Sequence, residues 1–180
     1  ARPTFPAGFD DLKKSTWLCT HNLARVGGLR SRLGIPNPVT FVSLAEGLEA
    51  NWATLATHVA KSPISLTTPV TPDPSGRRAI GRKCDLTSLP EERARLRATQ
   101  RFLLVTDIAL CYPSIYTHSI AWALHGKPIA KASTGFALLG DQIDRLVRRC
   151  QERQTLGIPI GPDYSLAVAE IVLTSIDHEL

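Results

Sequence analysis

The sequence predicts a helix-rich α+β fold, on three observations. Leu139, Ile143, Leu146, Val147 and Cys150 recur at the spacing of one helix face, and Val168, Ile171, Val172 and Ile176 do so again downstream. Phe102-Leu103-Leu104-Val105-Thr106-Asp107 is a short apolar run that reads as a buried strand ending in an acid. Between residues 62 and 82, extended segments flank the turn sequence Asp73-Pro74-Ser75-Gly76, the pattern of a β-hairpin with a basic return strand.

The elements follow in order. Residues 10–33 read as a helix carrying Leu12, Trp17, Leu18, Leu23 and Val26, broken at Gly27-Gly28. Ser43-Leu44-Ala45-Glu46 is a capping-box pattern, in which the Ser hydroxyl caps a backbone N–H and the Glu reaches back. The helix it opens runs through Leu48, Trp52, Leu55, Ala56 and Val59 and stops before Pro63. Ser88-Leu89-Pro90-Glu91-Glu92 opens a short charged helix, with proline in the first turn where its missing N–H costs nothing. Pro113 separates the apolar run from a helix over residues 115–125. Gly157-Ile158-Pro159-Ile160-Gly161-Pro162 is a rigid turn-rich loop, and a last helix starts near Ser165.

At 180 residues and 43% hydrophobic, the chain has material for one domain, or for a domain and part of another. No apolar run approaches a membrane span, and Ala1 to Pro6 lack the apolar core of a secretory signal. Cys19, Cys84, Cys111 and Cys150 are too scattered for a zinc site and read as reduced thiols of a cytoplasmic protein. Methionine is absent even at position 1, which predicts a fragment or a processed piece. The net charge of +5 suits a polyanionic partner, and Arg77, Arg78, Arg82 and Lys83 cluster. Arg93, Arg95, Arg97 and Arg101 read as a solvated helix face, and so do Asp141 and Asp144.

Asp107 carries the chemistry. An acid at the end of an apolar strand is costly to bury unpaired and becomes favourable when it binds a cation. From the residues alone it is equally a metal ligand or a cap on the next turn. Asp107-x4-Tyr112 resembles the first palm motif of reverse transcriptases. The longer run from Tyr112 to Lys127, YPSIYTHSIAWALHGK, is similar to bacterial reverse transcriptases of the abortive-infection and defence-associated groups. Gln154-Thr155-Leu156-Gly157-Ile158-Pro159-Ile160-Gly161-Pro162-Asp163-Tyr164-Ser165 resembles the next palm motif of that family. Ile160 stands where many relatives have Gln, a departure that the defence groups share.

The resemblance implies polymerase fingers plus a partial palm, an antiparallel sheet backed by helices, over residues 37–180; residues 1–36 form a separate N-terminal helical segment that it does not explain. It implies that Asp107, with the carbonyl of Ile108, binds Mg²⁺. It implies that Tyr112 is the steric gate against a ribose 2′-hydroxyl, and that Ile160 and Gly161 border the incoming nucleotide. Arg78 fits the triphosphate-gripping position of the fingers, with Arg77 the alternative; a guanidinium fork can bind two phosphate oxygens at once. The implied partners are dNTPs and an RNA or DNA template and primer, with a protein primer as an alternative, and oligomerisation is left open. His118 and His125 read as packing or capping residues, and Asp163 as a helix cap. The family completes its metal site with an aromatic-x-Asp-Asp hairpin, which these 180 residues do not contain. A non-catalytic binding module is therefore the rival expectation.

Overall fold

A computed structural model describes residues 14–71, 78–133, 135 and 137–178. The first described element corrects an expectation. In place of a helix through residue 33, Cys19–Ala24 (β1) and Arg30–Ile35 (β2) pair as an antiparallel hairpin, with Cys19 opposite Ile35 and Ala24 opposite Arg30. The tight turn uses Gly27 and Gly28 at φ +84° and +76°, a region where a Cβ is strained. The apolar residues that suggested a helix face bury little: Trp17 is 75% exposed and Val26 99%. Leu12, with residues 10–13, lies outside the described residues.

Helix α1 (Pro38–Ala50) starts upstream of the Ser43 capping box. Asn37 is the real cap, its side chain accepting from the Val39 N–H at 3.0 Å, and Pro38 occupies the first turn. A local pattern at Ser43 lost to a better one, because Asn followed by Pro fixes the first turn twice over. The chain breaks at Asn51, whose side-chain amide donates to the Gly47 carbonyl at 2.8 Å, and resumes as α2 (Trp52–Val59).

Pro69–Val70 (β3) and Gly81–Arg82 (β4) pair antiparallel, as the hairpin pattern predicts. Its turn, Asp73 to Gly76, and Arg77 lie outside the described residues. Helix α3 (Leu89–Arg97) has no buried residue, so its arginines are the solvated face expected of them. The apolar run 102–107 departs most from expectation. Residues 102–108 form neither strand nor helix, and Phe102, Leu104 and Val105 are 84%, 88% and 77% exposed. A strand exists only when another strand takes up its backbone groups. Among the described residues the paired strands are β1 with β2 and β3 with β4, and none of them borders this run. No palm-type sheet is formed among those residues.

The core is helical. Short turn α4 (Cys111–Ser114) leads to α5 (Ser119–His125), α6 (Lys127–Ala132), α7 (Leu139–Arg149) and α8 (Asp163–Asp177). Leu44 and Leu48 of α1, Leu55 of α2, Ile120 of α5, Ile143 and Val147 of α7, and Val168 and Ile171 of α8 converge as one cluster. Each such side chain contributes about 1.5–3 kcal/mol on leaving water. Helix α7 meets α5 closely because Gly140 lacks a Cβ; one there would stand 2.4 Å from the Ala121 Cα. The chain is thus α+β and helix-rich. Among the described residues no helix is long and apolar enough to cross a membrane.

Candidate functional site

Segment 110–117 and loop 155–161 overlap the two motifs, and the structure joins them. Leu110 sits in the left-handed region at φ +52° and turns the chain into α4. The Ile158 N–H donates to the Tyr112 carbonyl at 2.9 Å, and the Gly157 N–H to the Ile115 carbonyl at 2.8 Å. An antiparallel bridge pairs Tyr116 with Leu156, and the Thr117 N–H donates to the Thr155 carbonyl at 2.8 Å. Gly157 is required at the closest point: its φ is +86°, and a Cβ would lie 2.9 Å from the Pro113 carbonyl oxygen. Gln151, which the sequence reading passed over, secures the loop from beneath. It is buried, and its amide donates to the carbonyls of Gln154 (2.9 Å) and Gly157 (2.7 Å).

The other side of the loop rests on β2. The Gly34 N–H donates to the Ile160 carbonyl at 2.9 Å, and Leu33 pairs with Ile160 in a parallel bridge. Gly161, at φ +124°, lies against this edge, and Ile160 is 37% exposed.

Tyr112 is half-buried against the helical core. Burial pushes its phenol up, with the Cys111 thiol and the Glu170 carboxylate adding to the effect and the Arg82 guanidinium of β4 opposing it. The Cys111 thiol is likewise raised by burial, then by the carboxylates of Asp107 and Glu170. Arg82 and Glu170 thus act on Tyr112, and Asp107 and Glu170 on its neighbour Cys111. Arg82 Nε is buried and has no hydrogen-bond partner within the described residues. Arg78 is exposed, and its neighbour Ala79 donates its N–H to the Asp163 carboxylate at 3.2 Å. Asp163 thus ties β4's approach to the first turn of α8 rather than capping that helix.

Asp163 belongs to a set that sequence reading missed. Asp163, Glu170 and Asp177 recur about every two turns of α8, on one face. All three accept from residues 62–79. Ser62 donates to Asp177 at 2.5 Å, Ser65 donates to Glu170 at 2.7 Å, and Thr67 donates to the other Glu170 oxygen. The spacing of the acids was legible; which segment would lie along them was not.

Asp144 corrects another expectation. It is 3% exposed, not solvated, and accepts from Arg148 Nε at 3.1 Å while His118 Nδ1 lies 2.8 Å away. A helix position next to Ile143 and Val147 is drawn under α5, where the Arg148 guanidinium compensates the buried charge. Asp141 is half-buried and accepts from Ser133. His125 behaves as expected of a capping residue, its Nε2 accepting from the Gly140 N–H at 3.1 Å.

Asp107 is exposed in an irregular segment, and no group of three or more His, Cys, Asp and Glu gathers among the described residues. Asp107 and a backbone carbonyl would be part of a Mg²⁺ shell that substrate phosphates and waters complete.

Scanned against models of known protein families, the chain matches none, and a search of the curated proteins finds no match.

Proposed function

We propose that this chain forms the fingers and the front of the palm of a reverse-transcriptase-like polymerase, and that it selects the incoming dNTP. The observation that carries the reading is the hydrogen bond from Ile158 to Tyr112, supported by the fit of Gly157 on Pro113. Two segments that resemble consecutive palm motifs are held against each other, as two segments serving one nucleotide must be. The return strand of the β3–β4 hairpin brings Arg78 to the same end of α8. In this reading Tyr112 excludes a ribose 2′-hydroxyl, Arg78 grips the triphosphate, and Ile160 and Gly161 border the base. The parent reaction is attack of a primer 3′-hydroxyl on the α-phosphate of a dNTP, directed by an RNA or DNA template. The resemblance of residues 112–127 to defence-associated reverse transcriptases supports a role in phage resistance.

Asp107 is the acid of the reading. The remaining carboxylates that Mg²⁺ needs are not among the described residues, so the chemical step is not assigned to this chain alone. With Mg²⁺ and dNTPs, the 180 residues by themselves should extend no primer. In a polymerase that carries this segment, Asp107→Asn should abolish extension.

The decisive test is equilibrium binding of dATP and ATP to the chain. The reading expects dATP to bind more tightly, Arg78→Ala to weaken both, and Tyr112→Ala to erase the difference. Equal affinity for both nucleotides in the unaltered chain overturns the gate assignment.

A binding module without catalysis is the second reading. The exposed Asp107, with no group of three metal-ligating side chains gathered among the described residues, favours it, and dNTP binding without any primer extension by a longer protein that carries this segment would support it.

A further inference from the structure

Residues 101–110 are exposed throughout, and the apolar stretch within them takes no part in the core. Phe102, Leu103, Leu104 and Val105 are 60–88% exposed. No backbone–backbone hydrogen bond among the described residues uses residues 102–108. Phe102, Val105 and Thr106 are strand formers, and a strand needs a partner. Open strands are usually blunted with lysine or proline, and residues 102–106 have neither.

The ends of the run indicate the partner. Arg101 precedes it and Asp107 closes it. Laid antiparallel on a second copy with Leu104 opposite Leu104, the run sets Arg101 of each copy opposite Asp107 of the other. Leu103 then faces Val105, and Phe102 faces Thr106. Side chains alternate along a strand, and residues directly opposite share a face. Leu103 and Val105 of both copies therefore fill one face between two ion pairs, while Phe102 and Leu104 occupy the other. A shift of one residue in either direction separates both ion pairs. Parallel pairing in register stacks Arg101 on Arg101 and Asp107 on Asp107, which is repulsive. Charge thus selects one direction and one register. The contact is isologous, the same patch on both copies. In the single chain the Arg101 guanidinium lies over the Phe102 ring, 5.5 Å from its centroid. Neighbours in a strand point to opposite faces, so pairing exchanges this exposed contact for the ion pair.

We propose that residues 101–107 are a docking strand for a second copy of this chain, antiparallel and centred on Leu104. The pairing requires neither nucleotide nor metal and stands apart from the polymerase reading. A lone pair of strands is marginal in water, so the association is concentration-dependent. One consequence does rest on that reading: an Asp107 held by Arg101 of another copy is withheld from Mg²⁺, which makes the pair a resting form.

The test is sedimentation velocity of the 180-residue chain over about a hundred-fold range of concentration, where monomer should pass into dimer. Arg101→Asp and Asp107→Arg each set like charges opposite one another at two points, and each should weaken pairing by about ten-fold or more. Combined in one chain, the two changes restore opposite charges and should restore the dimer. A mixture of the two single variants should form a mixed dimer, because one supplies two acids and the other two cations. Leu104→Lys brings two ammonium groups together at the centre and should leave monomer. All three positions are exposed, so circular dichroism should be unchanged in every variant. A chain that stays monomeric at the highest concentration overturns the proposal, and so does assembly that ignores the charge changes. No nucleotide is present, so failure here leaves the dATP and ATP comparison untouched, and the reverse also holds.

Discussion

The Ile158 N–H donates to the Tyr112 carbonyl at 2.9 Å, which fixes the glycine-proline loop against the turn that follows Asp107. Gly157, one residue earlier, permits the approach. Gly157→Ala should destabilise the fold by about 1–3 kcal/mol, since alanine at positive φ is strained and its methyl meets the Pro113 carbonyl. Urea unfolding monitored by tryptophan fluorescence measures it. A neutral substitution would show that the loop can move away without cost.

Glu170 holds Ser65 and Thr67 through charge-assisted bonds while 5% exposed. Glu170→Gln should cost about 1.5–3 kcal/mol. The loss should be local first, with faster amide hydrogen exchange across residues 62–71 than in α7. Uniform acceleration across the chain would mean that Glu170 supports the core rather than this segment.

Asp144 is enclosed with Arg148 and His118. Asp144→Ala should destabilise by about 1.5–3 kcal/mol. In a double-mutant cycle with Arg148→Ala, the two losses should be less than additive, with a coupling of about 0.5–3 kcal/mol. Strict additivity would refute an energetic pair.

His58 sets a pH dependence. Its Nε2 meets the Ile171 carbonyl at 3.0 Å, and burial lowers its pKa below the ordinary 6.5, with Lys61 and His125 adding to the fall and the carbonyl opposing it. The unfolded chain therefore takes up this proton at a higher pH than the folded one. Stability contributed by neutral His58 is complete above pH 6.5 and is lost as pH falls through and below that value. Thermal melts from about pH 7.5 to about pH 5 should show the decline, and His58→Gln should flatten it. An unaltered slope in the variant would assign the dependence to other groups.

Residues 102–108 are exposed and lack the hydrogen bonds of strand or helix. Brief chymotrypsin digestion should cut first near Phe102 or Leu104, before any site in α5, α7 or α8. Early cleavage within those helices would contradict the placement of the core.

The sequence by itself determined the helices that carry their own signals. α7 and α8 lie where the apolar spacing puts them, because a face of Ile143, Val147, Val168 and Ile171 has one favourable use, burial. The α3 start at Leu89 with Pro90 and the pairing of Pro69–Val70 with Gly81–Arg82 were equally legible, since proline and turn chemistry act within a few residues. Tertiary structure decided the rest. A strand is completed by its partner, so the run 102–107 is apolar enough for one yet pairs with no described strand, while residues 19–35 form a hairpin whose β2 edge finds Ile160. An acid's environment is set by what packs over it, so Asp144 was drawn under α5 although its own helix face reads as polar. The meeting of Tyr112 with Ile158, and of Gly34 with Pro159, depends on distances between segments far apart in the chain, which only the closed core of α5, α7 and α8 brings together.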